Sequence, residues 1–190
     1  TDHALHYNLR LFREPSGERM NDERMRLAMK NLRHYSHKNE PVFQSYHSSY
    51  DADHWHFLPS GSVGIPPVNA LYLAEAYKMA QAQNLFEVNK PHFWCLMGDS
   101  EFREGSLLEA LPEARERALS NVTWIVDYNR QSLDGHRTFS EDAMGFKDCD
   151  RIQGLVESNG WDVIQLRHGA FRKKIFALPQ GDALQNVFES

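Results

Sequence analysis

The sequence lacks the features of several common protein classes. Only two of its 190 residues are cysteines, which excludes a disulfide framework and indicates a reducing compartment. Its 21 basic and 26 acidic residues leave a net charge of −5 with no Lys/Arg block, so we expect neither nucleic acid nor a membrane surface as a partner. No apolar run is long enough to span a bilayer, and no secretory signal opens the sequence. These absences predict a soluble, cytoplasmic protein.

The patterning of apolar residues divides the chain into two parts. Residues 1–58 predict an irregular N-terminal arm with one helix, which begins near Asn21, and a loop rich in histidine and aromatic residues. In residues 59–190 strands alternate with helices, which is typical of an α/β domain with a doubly wound parallel sheet flanked by helices. The elements predicted in this second part are a helix from Pro66-Pro67 to about Asn84, a strand over His92–Met97, a helix over Ser106–Leu119, a strand over Val122–Val126, a helix from about Asp150 to Asn159-Gly160, a strand over Trp161–Leu166, and two short helices divided at 179–181.

A polar residue follows each of the two apolar strands in the middle of the chain. Asp99 follows the first strand and Asn129 follows the second. Neighbouring parallel strands end at one edge of a sheet, where the ligands of open α/β folds bind. Mg²⁺ combines a few protein oxygens with substrate phosphates and water, and a helix start suits an anion. The pattern therefore predicts a diphosphate–magnesium site, although a helix cap at Asp99 and a turn at Asn129 would explain either residue taken singly.

Several motifs around these positions resemble thiamine-diphosphate enzymes. The run Gly98-Asp99-Ser100-Glu101 together with Asn129 is similar to the cofactor fingerprint of transketolases and 2-oxo acid dehydrogenase E1 components. Four further segments resemble parts of transketolase or homodimeric pyruvate dehydrogenase E1, in the correct order: 59–70 (PSGSVGIPPVNA), 104–110 (EGSLLEA), 131–135 (QSLDG) and 160–164 (GWDVI). The resemblance covers roughly residues 59 to 167 and implies the thiamine-diphosphate-binding fold for residues 59–190.

The resemblance also implies roles for individual residues. Glu104 would be catalytic, by helping proton transfer between paired active sites at a dimer interface. Ser100 replaces the family's usual glycine, which either weakens the close approach to the diphosphate or adds a hydroxyl bond to it. Two sets of ligands are implied: Mg²⁺ would be bound by Asp99, Asn129 and the backbone oxygen of Gln131, and thiamine diphosphate would contact Val63 (by its backbone), Gly98, Asp99, Ser100, Glu101 and Asn129.

The implied reaction is decarboxylation of a 2-oxo acid such as pyruvate, with transfer of the acyl unit to a lipoyl carrier. Expected partners are a pyrimidine-binding domain or subunit, a second copy in a homodimer or larger assembly, and a lipoyl acyltransferase. The family's second domain, which supplies a glutamate to the cofactor, is not in this sequence, and the chain opens on Thr1. We therefore expect a fragment or subunit of a larger enzyme that is inactive alone. Two alternatives stay open: a transketolase-like subunit acting on sugar phosphates, and a non-catalytic binding or assembly module.

Histidines near the start of the chain suggest a further possibility. His47, His54 and His56 lie close together in the aromatic loop, and His136 follows the second strand more distantly. Because no cysteine or helical histidine pair accompanies them, a role in substrate binding is favoured over a zinc site.

Overall fold

The computed structural model describes residues 2–14, 16–34, 40–42, 58, 60–85, 91–133, 135–136, 145 and 147–189. The chain divides into two compact units, Thr1–Gln131 and Ser132–Ser190. The domain boundary at residues 58/59 stays a prediction. Within the described ranges, no helix combines the length and the apolar character needed to cross a bilayer.

The start of the first unit is more ordered than the sequence predicts. It contains two helices, α1 (Asp2–Asn8) and α2 (Asp22–Lys30), rather than one helix in an irregular arm. Asn21 caps α2 as predicted, since its Oδ1 accepts the Arg24 N–H at 2.9 Å. The arm is ordered because Phe12 and Met20 are buried against residues of α2 in a small apolar cluster, with Tyr7 of α1 packed on its side.

The central part of the first unit is a β–α–β arrangement. Strands β1 (Phe93–Gly98) and β2 (Val122–Asp127) pair in parallel, from Phe93↔Val122 to Gly98↔Asp127. Helix α3 (Ile65–Ala82) begins with two prolines in its first turn and packs against β1. The residues that form this core are buried and apolar: Leu71, Ala74, Cys95, Met97, Phe102, Leu107 and Leu111. The α/β class is confirmed, and the doubly wound sheet stays a prediction.

The connection between β1 and β2 differs from the predicted single helix over Ser106–Leu119. It comprises a 3₁₀ helix η1 (Asp99–Arg103) followed by two short helices, α4 (Gly105–Ala110) and α5 (Glu113–Glu116). The helix divides at Pro112 because proline has no N–H to donate to the carbonyl four residues earlier. The prediction of one continuous helix was therefore wrong.

The described part of the second unit includes the helices α6 (Asp148–Ser158), α7 (Ala170–Phe176) and α8 (Gly181–Glu189). Gly160, with φ 81°, follows the end of α6 as predicted. The two short terminal helices are also confirmed, and their Phe176 and Phe188 rings lie 6.1 Å apart. The two-residue strands β3 (Gln131–Ser132) and β4 (Gly135–His136) lie near the division between the units.

The strand predicted over Trp161–Leu166 was wrong. These residues form no helix or strand. Ile164 is 85% and Leu166 92% exposed, whereas a strand inside a doubly wound parallel sheet would bury its apolar side chains. A strand needs a hydrogen-bonded neighbour, and in the described part of the second unit no strand pairs with this segment.

Candidate functional site

The carboxyl ends of β1 and β2 meet at one edge of the sheet. Gly98 and Asp127 are the last residues of the two strands and are direct partners in the parallel register. Asp99 therefore follows β1 at the same edge where Asn129 follows β2. This is the edge at which the sequence predicts a ligand.

Asp99 is the first residue of η1 and is fully buried, with 0% of its surface exposed. It does not occupy the cap position of η1, because that residue is Gly98. A fully buried carboxylate differs from an ordinary surface cap, because burial of a charge is costly without compensation. The helix-cap interpretation of Asp99 is thus not the one that the structure favours.

Asn129 and Gln131 form a tight turn after β2. The Asn129 side-chain oxygen Oδ1 accepts the Gln131 N–H at 2.9 Å, and its Nδ2 donates to Asp127 Oδ2 at 3.2 Å. The turn interpretation of Asn129 is therefore correct as local structure. It is compatible with a metal-binding role, since an amide oxygen has two lone pairs and this contact uses one.

Ser100 links the two loops directly. Its hydroxyl donates to the backbone oxygen of Gln131 at 2.6 Å, across 31 positions of sequence. The bond joins Ser100, at the position where the resembled enzymes usually have glycine, to the Gln131 backbone oxygen, which the resemblance implies as a metal ligand. A carbonyl oxygen has two lone pairs, and this bond uses one of them.

Glu101 lies beneath this edge with only 2% of its surface exposed. Its Oε1 accepts the Gly98 N–H at 2.8 Å, and its Oε2 accepts the Gly64 N–H at 2.9 Å. The carboxylate thus joins the end of β1 to the start of α3. A direct contact between Glu101 and a cofactor stays a prediction.

The turn before α3 is closely packed against Glu104. Gly64 caps α3 in the left-handed conformation, with φ 75°. A Cβ added to Gly64 would lie 2.5 Å from Glu104 Cβ, so there is no room for any other residue without movement. The structure therefore brings Glu104 against the turn that contains Val63. The Val63 N–H donates to Gly61 O at 3.0 Å, so a contact with a ring would use the Val63 carbonyl oxygen.

Burial sets the electrostatics around Glu101. Desolvation is the main cause that raises the pKa of Glu101; the two backbone N–H bonds oppose it, and the charge of Glu104 adds to it. Nearby, burial raises the pKa of Cys95 to about 12, with a smaller contribution from the charge of Glu101. Cys95 is buried in β1, as the sequence predicts for a small core residue.

The residues at the edge fit a hard cation by their chemistry. Asp99 offers a carboxylate, while Asn129 and Gln131 offer carbonyl-type oxygens; this is the kind of donor set that Mg²⁺ accepts together with phosphate and water. Among the residues that the structure describes, no three His, Cys, Asp or Glu side chains group together around a possible metal position. Of Asp99, Asn129 and Gln131, only Asp99 is of these residue types, and their binding of a metal stays a prediction.

Some predicted positions lie outside the described residues, and one important contact was not predicted. His47, His54 and His56 are outside, and the His136 side chain is not described. One contact of Glu101 has a local signal in the sequence: the residue lies three positions after Gly98, where a glutamate reaches back to the cap N–H. The bond from Gly64, 37 positions away, had no local signal.

No protein-family model matches the chain, but comparison with known proteins finds relatives that are similar to it. It is 29% identical to the pyruvate dehydrogenase E1 component of Pseudomonas aeruginosa over 133 residues, 70% of this chain and 14% of that protein. It is 29% identical to the same component of Escherichia coli K12 over 124 residues, 65% of this chain and 13% of that protein. For Mycolicibacterium smegmatis the identity is 26% over 156 residues, 82% of this chain and 16% of that protein. The chain is therefore similar to a segment of pyruvate dehydrogenase E1 components and spans 13–16% of the length of these three relatives.

Proposed function

We propose that this chain carries the diphosphate- and magnesium-binding part of a thiamine-diphosphate-dependent enzyme of the pyruvate dehydrogenase E1 type. The main support is the meeting of the Asp99 loop and the Asn129–Gln131 turn at one sheet edge, joined by the Ser100–Gln131 hydrogen bond. The similarity to E1 components supports the same assignment independently of the geometry.

Each residue of the edge has a proposed task. Asp99, Asn129 Oδ1 and the Gln131 backbone oxygen would hold Mg²⁺, and the cation would neutralise the diphosphate. The residues 98–101 would line the diphosphate, and the Val63 backbone would position the aminopyrimidine ring. When bound, thiamine diphosphate supplies the carbon nucleophile for decarboxylation of a 2-oxo acid, while the protein supplies position and electrostatics.

The complete activity is proposed for a larger assembly. A pyrimidine-binding domain or subunit would complete the cofactor site, and two copies would form a homodimer or part of a larger complex. Glu104, which lies against the Val63–Gly64 turn, would take part in proton transfer. The acyl product would pass to a lipoyl acyltransferase.

The metal assignment is tested by cofactor titration of the assembled enzyme at saturating Mg²⁺. Asp99→Ala removes the one charged ligand, at a cost of a few kcal/mol by analogy with unpaired charged hydrogen bonds. The expected loss of thiamine diphosphate affinity is about a hundredfold or more. Gln131→Ala is the matched control and should have a much smaller effect, because it keeps the backbone oxygen. Unchanged affinity in Asp99→Ala would overturn the metal site.

The substrate is tested separately. Turnover of pyruvate with acyl transfer to a lipoyl carrier supports the E1 assignment, whereas turnover of xylulose 5-phosphate instead supports the transketolase-like alternative. Cofactor binding without either reaction would favour a non-catalytic module that has kept the fold.

A further inference from the structure

Glu101 joins two segments that are distant in sequence. Its two carboxylate oxygens accept N–H groups from Gly98, at the end of β1, and from Gly64, at the start of α3. These segments adjoin the two places where the proposed function needs contacts with opposite ends of one cofactor. The Val63 turn would meet the aminopyrimidine ring, and the Asp99 loop would meet the metal and the diphosphate.

A local capping role explains only half of this arrangement. A glutamate three residues after a cap satisfies the cap N–H with one oxygen, as Glu101 does with Gly98. The second oxygen is directed to a different element, 37 positions away. On its other side Gly64 is packed against Glu104, so closely that an added Cβ would overlap it. The turn is therefore held both by a hydrogen bond and by steric contact.

Burial makes the link resistant to separation. With 2% of Glu101 exposed, water does not replace a lost N–H partner without opening the structure. Hydrogen bonds to a charged acceptor are about twice as strong as neutral ones, and a buried charge that loses a partner bears the full cost of its desolvation. Movement of the Gly64 turn away from the Asp99 loop is therefore opposed by the carboxylate that joins them.

We propose that Glu101 is a positioning residue that couples the Val63–Gly64 turn to the Asp99 loop, so that ligand binding at the loop also orders the turn. The part that concerns thiamine diphosphate rests on the proposed function. The coupling itself is a property of this chain and is measurable without the complete cofactor. Glu101 acts through the backbone N–H groups of Gly64 and Gly98.

Amide hydrogen exchange, resolved by residue with NMR, tests the coupling. In the ligand-free chain, Glu101→Ala should speed exchange at both Gly64 and Gly98 by about tenfold, because it removes both acceptor oxygens. Glu116→Ala is the matched control, since Glu116 is exposed on α5 and should leave both rates unchanged. Faster exchange at Gly98 with no change at Gly64 would reduce Glu101 to a local cap and overturn the coupling.

A second measurement uses Mg²⁺ with inorganic pyrophosphate as the probe of the Asp99 loop. In the wild-type chain the probe should slow exchange at Gly64, and Glu101→Ala should abolish that effect while some pyrophosphate binding remains. Binding at the loop without protection of Gly64 in the wild type would overturn the proposal, even if the variant fails to fold. Failure of the probe to bind would count against the proposed function instead, and the ligand-free exchange rates would still decide the role of Glu101.

Discussion

Gly64→Ala should destabilise the first unit strongly, because Gly64 is constrained in two independent ways. Its φ of 75° lies in the left-handed region, which costs a residue with a Cβ about 1 kcal/mol or more. The new Cβ would lie 2.5 Å from Glu104 Cβ and 2.8 Å from its Cγ. Carbon atoms pack at roughly 3.5–4.0 Å, so the turn and Glu104 must separate by about 1 Å.

That separation acts on the hydrogen bond between the Gly64 N–H and Glu101 Oε2, which is 2.9 Å long. A hydrogen bond to a charged group contributes about 1.5–3 kcal/mol, and its loss leaves a buried carboxylate with fewer partners. Adding the backbone cost, we expect Gly64→Ala to lower the free energy of unfolding by about 3 kcal/mol.

The assay is urea unfolding followed by tryptophan fluorescence, since Trp94 and Trp124 both lie in the first unit. Gly105→Ala is the control beside it: an added Cβ there meets nothing within 4 Å, and the residue lies outside the left-handed region. The control should change stability by less than about 0.5 kcal/mol. If Gly64→Ala unfolds at the same urea concentration as Gly105→Ala, the reasoning about the turn is refuted.

Two further predictions concern residues away from the edge of the sheet. Iodoacetamide at mildly alkaline pH should modify Cys149 and spare Cys95, because the pKa of Cys95 is raised to about 12 and the residue is buried. Mass spectrometry of the folded and the urea-unfolded chain measures the labelling. Equal labelling of both cysteines in the folded chain would contradict the prediction. Gly154→Ala should raise the stability of the second unit by roughly 0.5–1 kcal/mol, because Gly154 lies inside α6 and an added Cβ meets nothing within 4 Å. Urea unfolding followed by circular dichroism measures the change, and a loss of stability would contradict the prediction.

The elements around the site could be predicted because their signals are local. The Pro66-Pro67 pair marks the start of α3, and the apolar runs before Asp99 and Asn129 mark the two strands. Parallel pairing of consecutive strands then brings both polar residues to the same edge. The sequence was therefore sufficient to predict that Asp99 and Asn129 follow neighbouring strands at one edge of the sheet.

The predictions from sequence failed, or missed a contact, where the structure depends on contacts between segments that are distant in the sequence. The Trp161–Leu166 run has the composition of a strand, but composition does not provide a neighbour for pairing. Order in residues 2–14 and 16–19 depends on burial of Phe12, a tertiary effect with no periodic signal. The Gly64–Glu101 bond likewise depends on folding, because 37 positions separate its partners. Pro112 is the exception, because the sequence alone was enough to predict that this proline divides the helix.

The hydrogen bond between Ser100 and Gln131 requires a particular side chain at one end only. The donor is a side-chain hydroxyl, whereas the acceptor is a main-chain oxygen that every residue type possesses. Exchange of the side chain at position 131 leaves the acceptor in place, while at position 100 threonine is the one close substitute that retains an aliphatic hydroxyl. Variation among relatives at these two positions should therefore be uncorrelated, and a covariation search would miss a contact that is only 2.6 Å long.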